Sequence, residues 1–168
     1  MIVLATERLR VSHFSPDDAE FIQELLNEPS FLQNIGDRGV RSAEDARRYI
    51  IDGPMASYTQ HGFGLFRVAL RESDEPIGMC GLLKRDTLPD VDIGYAYLPR
   101  YWSKGYAYEA AAAVMTYGKE MLGISRIIAI TTPDNESSMR LLRKIGLEFE
   151  RMISFDEGRT ESTLFTPR

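Results

Sequence analysis

Residues 93–130 read IGYAYLPRYWSKGYAYEAAAAVMTYGKEMLGISRIIAI, and three patterns follow one another within them. Aromatic and apolar residues at 93–98 predict a strand, which Pro99 ends because proline cannot donate a ladder hydrogen bond. Residues 109–122 are almost all good helix formers and predict a helix. The apolar run 127–130 is too short for a helix and predicts a strand buried on both faces. The stretch therefore predicts a strand, a crossover helix and a second strand.

The loop between the first strand and the helix, residues 100–107, has the features of an anion-binding site. Backbone N–H groups at the N-terminus of a helix lack partners within the helix, and the helix dipole adds partial positive charge, so such a loop can bind phosphate. Gly105 and the small residues Ser103 and Ala107 let the backbone approach a ligand, and Lys104 adds formal charge. The loop has neither the G-x-G-x-x-G pattern of dinucleotide sites nor the G-x-x-x-x-G-K pattern of P-loops.

Residues 93–110 resemble the coenzyme A loop of the GNAT N-acetyltransferases, in which the pattern R/Q-x-x-G-x-G/A opens a helix. Trp102 stands at the R/Q position, Gly105 at the first glycine and Ala107 at the last small position. Tryptophan there, followed by a small residue, a basic residue and G-Y-A-x-E-A, is similar to the RimJ/RimL-type branch that acetylates ribosomal-protein N-termini. Glycine is more usual in that branch where this chain has Ser103.

A second segment supports the same resemblance. Residues 135–147 read NESSMRLLRKIGL, which is similar to the N-x-x-S-x-x-L-L-x-K-x-G-F pattern of that branch. Only Leu147 departs from the pattern, because it stands in place of Phe. The resemblance extends more loosely over the whole chain. It implies an acetyl-CoA-dependent N-acetyltransferase, with acetyl-CoA as cosubstrate and no metal.

The composition of the 168 residues is that of an ordinary globular domain, with 43% hydrophobic and 27% charged residues. We expect a single domain over residues 1–168, built on one substantial core. The net charge of −5 and the lack of a basic run argue against nucleic acid as a partner. Because the sequence shows neither a signal-peptide pattern nor an apolar span of about eighteen residues, we expect a cytoplasmic protein with no membrane partner.

The rest of the chain alternates strand and helix patterns. Strands are predicted at residues 6–14, 63–70 and 76–83, helices after Ser15, after Ser42 and at 137–145, a loop at 29–39, and a closing hairpin at 149–166 around Glu157-Gly158. These elements predict an α/β fold of the α+β type. A mixed, largely antiparallel twisted sheet of about six to seven strands would be flanked by about four helices, in agreement with the GNAT fold. The two helices before residue 63 would form one wall of a substrate cleft.

The resemblance also implies a set of ligand contacts. Loop amides would bind the pyrophosphate of coenzyme A, and the end of the preceding strand would pair with the pantetheine amides as an added strand does. A free N–H near Ala96 or Tyr97 would bind the thioester oxygen as it becomes an oxyanion. The expected cofactor-binding residues are Ala96, Tyr97, Leu98, Trp102, Ser103, Lys104, Gly105, Tyr106, Ala107, Asn135 and Ser138.

The leaving thiolate needs a hydrogen-bond or proton donor. Many GNAT enzymes carry a tyrosine four residues before the glycine of the second segment, but this chain has Leu142 there. In the RimJ/RimL-type branch this role has been assigned to a serine three residues after the Asn, and Ser138 matches that position. A hydroxyl is a poor acid against a thiol of pKa about 8.5, so we expect a hydrogen bond to the thiolate. Asn135 would orient the pantetheine, and capping of the following helix is the alternative reading of both residues.

The acceptor amine needs a base. Asp92 matches a position where the branch often carries Glu, and it is the candidate base, directly or through water; a solvated charge at a strand edge is the alternative. Deprotonating a lysine-like amine at pH 7 costs roughly 4 to 5 kcal/mol, whereas an α-amine costs about 1 kcal/mol. We therefore expect a peptide N-terminus as acceptor. The alternative acceptor is a small-molecule amine, such as a polyamine or antibiotic. The alternative function is that of a non-catalytic acyl-CoA-binding module. In each case we expect a monomer or homodimer.

Several other conspicuous residues have structural interpretations. Glu109 is expected to complement the helix dipole and brace the loop. Tyr95 is interpreted as packing around the loop. Cys80, the single cysteine, is expected to be a buried small hydrophobe, and His13 and His61 show no metal-binding spacing.

Overall fold

The computed structural model describes residues 1–154 and 161–168. Within this part of the chain the strands are β1 Ile2–Ala5, β2 Leu9–Ser12, β3 Leu65–Leu70, β4 Pro76–Leu83, β5 Val91–Tyr97, β6 Ile127–Thr131, β7 Leu147–Ile153 and β8 Ser162–Pro167. The α-helices are α1 Ala19–Leu26, α2 Pro29–Asn34, α3 Ala43–Ile50, α4 Ala56–His61, α5 Tyr106–Glu120 and α6 Glu136–Lys144. The strands form one sheet in the order β1-β2-β3-β4-β5-β6-β8-β7.

The architecture confirms the predicted fold, and the described residues contain one more strand, β1, and two more short helices, α2 and α4, than were predicted. The predicted first strand corresponds to β2, and β1 precedes it as its antiparallel partner. The loop predicted at residues 29–39 was wrong for Pro29–Asn34, where proline opens a short helix that buries Phe31. The closing hairpin is confirmed by the antiparallel pairing of β7 with β8. Its predicted turn at Glu157-Gly158 lies outside the described residues.

The middle of the sheet is split. Strands β5 and β6 pair in parallel at Val91 with Ile127 and at Asp92 with Ile128. Beyond Asp92, β5 continues in antiparallel pairing with β4 as far as Tyr97. Among the described residues, the β5 edge that faces β6 therefore has no ladder partner after Asp92. This split opens a cleft between the two central strands.

Helices cover both faces of the sheet around this cleft. Successive side chains of a strand point to opposite faces, so β5 contributes to two separate parts of the core. Tyr95 and Tyr97 belong with the apolar residues of α5 and α6. Ala96 and Leu98 belong with those of α1 and α3. We call these the α5/α6 face and the α1/α3 face of β5.

Strand β4 passes so close to the start of β3 that its Gly81 has no space for a side chain. A Cβ atom at Gly81 would stand 2.0 Å from the carbonyl oxygen of Gly64, so the backbone would have to move. We expect Gly81→Ala to lower the free energy of unfolding by about 2 to 4 kcal/mol, measured by urea denaturation followed by circular dichroism. Gly53→Ala is the matched control, because no atom lies within 4 Å of its added Cβ. Equal denaturation midpoints for the two variants would contradict this prediction.

Candidate active site

The predicted anion-binding loop follows the end of β5 and runs into α5. That helix begins at Tyr106, three residues before the predicted start at Glu109, so its N-terminus lies within the loop. The Trp102 N–H donates to the Pro99 carbonyl at 3.0 Å, and the Glu109 N–H donates to the Gly105 carbonyl at 3.1 Å. Within the described chain, none of the backbone N–H groups of residues 103–108 donates a hydrogen bond to a protein acceptor. The loop thus presents a row of unpaired donors at a helix N-terminus.

Two residues of the loop have left-handed backbone conformations. The φ angle of Ser103 is 62°, and that of Gly105, the N-cap of α5, is 83°. Glycine adopts this conformation without steric penalty, whereas for serine it costs roughly 1 to 2 kcal/mol. This geometry explains why glycine is the more usual residue where this chain has Ser103. A Cβ at Gly105 would also stand 3.2 Å from the Arg8 guanidinium, which packs against the loop.

The segment between β1 and β2 holds the loop in place. The Arg8 guanidinium donates to the Lys104 carbonyl at 2.9 Å and to the Glu109 carboxylate at 2.7 Å, and it lies 4.4 Å from the centre of the Tyr106 ring. Glu109 also accepts hydrogen bonds from the Thr6 hydroxyl and the Arg8 backbone N–H. Burial opposes ionisation of Glu109, but these hydrogen bonds lower its pKa below the ordinary value. The expected bracing role of Glu109 thus has a geometric basis, whereas sequence reasoning gave no role to Arg8.

At the end of β5, one residue directs its backbone into the cleft. The Leu98 N–H donates to the Ile77 carbonyl of β4 at 3.0 Å. Because antiparallel residues alternate in the direction of their backbone groups, Ala96 also faces β4, and Tyr97 faces the cleft. The Tyr97 carbonyl accepts a hydrogen bond from the Trp102 indole N–H at 2.9 Å, and Trp102 is 49% exposed. The Tyr97 N–H is therefore the strand-end donor that is placed for a ligand in the cleft.

Across the cleft, the first turn of α6 carries Ser138. Its backbone N–H donates to the Asn135 side chain at 3.2 Å, so Asn135 caps this helix. The Ser138 Oγ lies 2.7 Å from the Tyr95 hydroxyl, and this contact joins β5 to α6 where β5 and β6 have separated. Leu142 is 1% exposed within the core. The structure brings Tyr95, Ser138 and Asn135 together, although the sequence indicated only packing for Tyr95.

Asp92 lies on the α1/α3 face, at the last position where β5 and β6 pair. It is 1% exposed, so the alternative of a solvated strand-edge charge was wrong. One carboxylate oxygen, Oδ1, accepts a hydrogen bond from the Arg85 Nε at 3.1 Å, and Oδ2 has no hydrogen-bond partner within the described chain. Burial raises the pKa of Asp92, although the Arg85 charge opposes that shift. Asp92 precedes Tyr95 by three residues and points to the opposite face, roughly 10 Å away along the strand.

Among the described residues, Cys80 and His13 have structural environments that add no group to the site. Burial raises the pKa of Cys80 to about 12, which leaves its thiol protonated and inert. His13 stacks on Tyr58 with ring centres 4.0 Å apart. No group of three or more His, Cys, Asp or Glu side chains that could hold a metal occurs among the described residues. In the same part of the chain, no helix combines the length and apolarity needed to span a membrane.

Comparison with known proteins identifies the family. Residues 8–148 match the family model described as Acetyltransferase (GNAT) domain. The chain is 31% identical to Bacillus subtilis (strain 168) "Uncharacterized N-acetyltransferase YnaD" over 147 residues, which are 88% of this chain and 83% of that protein.

Solved structures agree with this match. A GNAT-family acetyltransferase from Bacillus anthracis has 28% identity and a TM-score of 0.80, with 99% of this chain and 97% of that chain covered. A RimL ribosomal L7/L12 alpha-N-protein acetyltransferase in complex with coenzyme A has the same fold, with a TM-score of 0.84 at 16% identity over 100% of this chain and 97% of that chain. The chain therefore belongs to the GNAT acetyltransferase family and is an acetyl-CoA-dependent N-acetyltransferase.

Proposed function

We propose that this enzyme transfers acetyl from acetyl-CoA directly to a peptide N-terminal α-amine, as a member of the RimJ/RimL-type branch. The observation that carries the proposal is the row of unpaired N–H groups at residues 103–108, which fits the diphosphate of coenzyme A. The pattern around Trp102 and the match at Ser138 support the branch. The fold shared with the RimL enzyme supports the architecture of the site, and the choice of acceptor rests on this resemblance and on the low cost of deprotonating an α-amine.

In this proposal the acetyl group lies in the cleft between β5 and β6. Acetyl-CoA supplies an activated thioester, and the protein residues position it and stabilise the charge that develops. The Tyr97 N–H donates to the thioester oxygen as negative charge grows on it, which lowers the barrier because the donor is already fixed by the sheet. Ser138, held by the Asn135 cap, donates its hydroxyl to the departing sulfur. Asn135 also remains a candidate ligand for the pantetheine amides.

The amine reaches the acetyl carbon from the α1/α3 face. Asp92 lies on that face, and its unpartnered Oδ2 is the oxygen available to take up a proton. Tyr97 lies five residues beyond Asp92, roughly 16 Å along β5, so a relay of several waters would have to carry the proton from the amine to the carboxylate. A carboxyl with a raised pKa is better suited to accept a proton near neutral pH than an ordinary exposed aspartate.

The acceptor class is tested by a screen that measures thiol release from acetyl-CoA. We expect turnover with peptides that have a free N-terminus and none with the same peptides blocked by N-terminal acetylation. Peptides with a free lysine side chain and a blocked N-terminus separate the two kinds of amine. Turnover confined to polyamines or aminoglycosides would contradict a peptide acceptor. Binding of acetyl-CoA without turnover on the whole panel would contradict catalysis and favour an acyl-CoA-binding module.

The loop is tested by placing a side chain in the phosphate site. Gly105→Glu adds both bulk and negative charge where the unpaired N–H groups converge, so we expect the Kd for acetyl-CoA, measured by calorimetry, to rise at least about 100-fold. Gly123→Glu is the matched control, because Gly123 also has a left-handed backbone, with φ of 69°, but follows the other end of α5. The control should lose stability without losing affinity. Equal affinities for the two variants would contradict the proposed phosphate site.

The base is tested with Asp92→Asn. Because the folded-state pKa of Asp92 is raised, its contribution to stability is fully present below the ordinary aspartate pKa of about 3.9 and is lost as pH rises through the raised value. We therefore expect Asp92→Asn to lower the free energy of unfolding at neutral pH by less than about 1 kcal/mol, since the 31% exposed Arg85 stays hydrated. The kcat should fall roughly 100-fold.

The control for Asp92→Asn is Asp90→Asn, which removes a surface carboxylate paired with Arg126 at 3.1 Å. This variant should retain the kcat of the wild type. Steady-state kinetics with the best acceptor from the screen gives the comparison. A folded Asp92→Asn enzyme with unchanged kcat across the pH range would exclude Asp92 as the base.

A further inference from the structure

The phenol that many GNAT enzymes place on the helix of the second segment is absent here, but another phenol reaches the same helix from the sheet. Leu142 occupies the usual tyrosine position and is buried in the core. Tyr95 projects from β5, three residues after the last pair with β6, and its hydroxyl lies 2.7 Å from the Ser138 Oγ. The side chain of Tyr95 therefore spans the cleft and ends at the hydroxyl that is the candidate donor to the leaving sulfur.

The direction of this hydrogen bond follows from the two hydroxyls. Burial raises the pKa of Tyr95, against the effect of the Ser138 hydrogen bond, so the phenol stays protonated. A phenol is a stronger acid than an aliphatic alcohol, which makes Tyr95 the better donor and the Ser138 oxygen the better acceptor. The Tyr95 contact with the Ser138 carbonyl is longer, at 3.4 Å. When Tyr95 donates, the hydroxyl hydrogen of Ser138 has no other acceptor within the described chain.

We propose that Tyr95 is a positioning residue that orients the Ser138 hydroxyl hydrogen towards the leaving sulfur of coenzyme A. This inference rests on the proposed function of the cleft. During transfer the carbon–nitrogen bond forms, the carbon–sulfur bond breaks and its electron pair stays on sulfur. The amine proton goes to the base on the α1/α3 face. Tyr95 keeps its proton throughout and polarises Ser138, whose hydroxyl donates a stronger hydrogen bond to the thiolate than it would alone.

The experiment measures the pKa of the coenzyme A thiol in its complex with the enzyme, from the ultraviolet absorbance of the thiolate. We expect Tyr95→Phe to raise that pKa by about 0.5 to 1 unit, because a buried hydrogen bond that supports the thiolate is lost. The kcat should fall about 3- to 10-fold, while the KM for acetyl-CoA changes less than about twofold. Tyr58→Phe is the matched control, since it removes another tyrosine hydroxyl, which donates to the Leu65 carbonyl. It should affect stability but not the thiol pKa.

A double-mutant cycle tests whether Tyr95 acts through Ser138. Ser138→Ala should raise the thiol pKa at least as much as Tyr95→Phe, and the double variant should equal Ser138→Ala alone. Additive shifts, or an unchanged thiol pKa in Tyr95→Phe, would overturn the positioning role while leaving the proposed function intact. Failure of the wild-type enzyme to bind coenzyme A in calorimetry would instead overturn the proposed function, and the positioning role with it.

Discussion

The site depends on the short ladder between β5 and β6, which ends after Asp92 pairs with Ile128. Unpaired N–H and C=O groups inside a protein are costly, so the exposed edge of β5 must find other partners. The Trp102 indole N–H donates a hydrogen bond to the Tyr97 carbonyl of that edge. The Tyr95 side chain, through its hydroxyl, joins β5 to Ser138 on α6. These contacts hold the cleft open and leave the Tyr97 N–H as a donor within it. A ladder that continued for two more pairs would close the cleft and remove the site.

The second constraint acts on the loop after β5. A row of unpaired N–H groups binds an anion tightly when the loop is already in its binding conformation. A loop that became ordered only on binding would lose conformational entropy, and this loss would weaken the affinity. Arg8 supplies that order by bonding to the Lys104 carbonyl and to Glu109 in the first turn of α5. The β1–β2 hairpin, at one edge of the sheet, thus fixes the loop that follows the central strand β5. Damage to that hairpin is therefore expected to affect cofactor affinity as well as folding.

The sequence predicted the parts of the fold that follow from local patterns. The bounds predicted for β4 agree with the structure, and the β5–α5–β6 unit was recognised, because the apolar runs and helix formers there are unambiguous. The missed elements, β1, α2 and α4, are short, and β1 is defined by its pairing with β2. Local pattern carries little information about such elements, since their stability comes from tertiary contacts.

The same distinction applies to the site. The anion-binding loop at residues 103–107 could be predicted because its features are consecutive in sequence. The role of Arg8 depends on contacts with residues about 100 positions away, and that of Tyr95 on a residue 43 positions away. The burial of Asp92 likewise follows from register, since it pairs with Leu83 on one side and Ile128 on the other. No single segment of sequence contains these juxtapositions.

The two faces of β5 separate the proposed coenzyme A site from the proposed acceptor site. The loop, Ser138 and Tyr95 belong to the α5/α6 face, and the two segments with the most specific family resemblance contribute the loop and Ser138. Asp92 belongs to the other face, where α1 and α3 pack and no motif was found. Under the proposed function, substitutions on α1 and α3 are expected to change the acceptor without disturbing the coenzyme A loop. Under the same proposal β5 carries residues of both halves, so changes in its backbone are expected to affect acceptor and cofactor together.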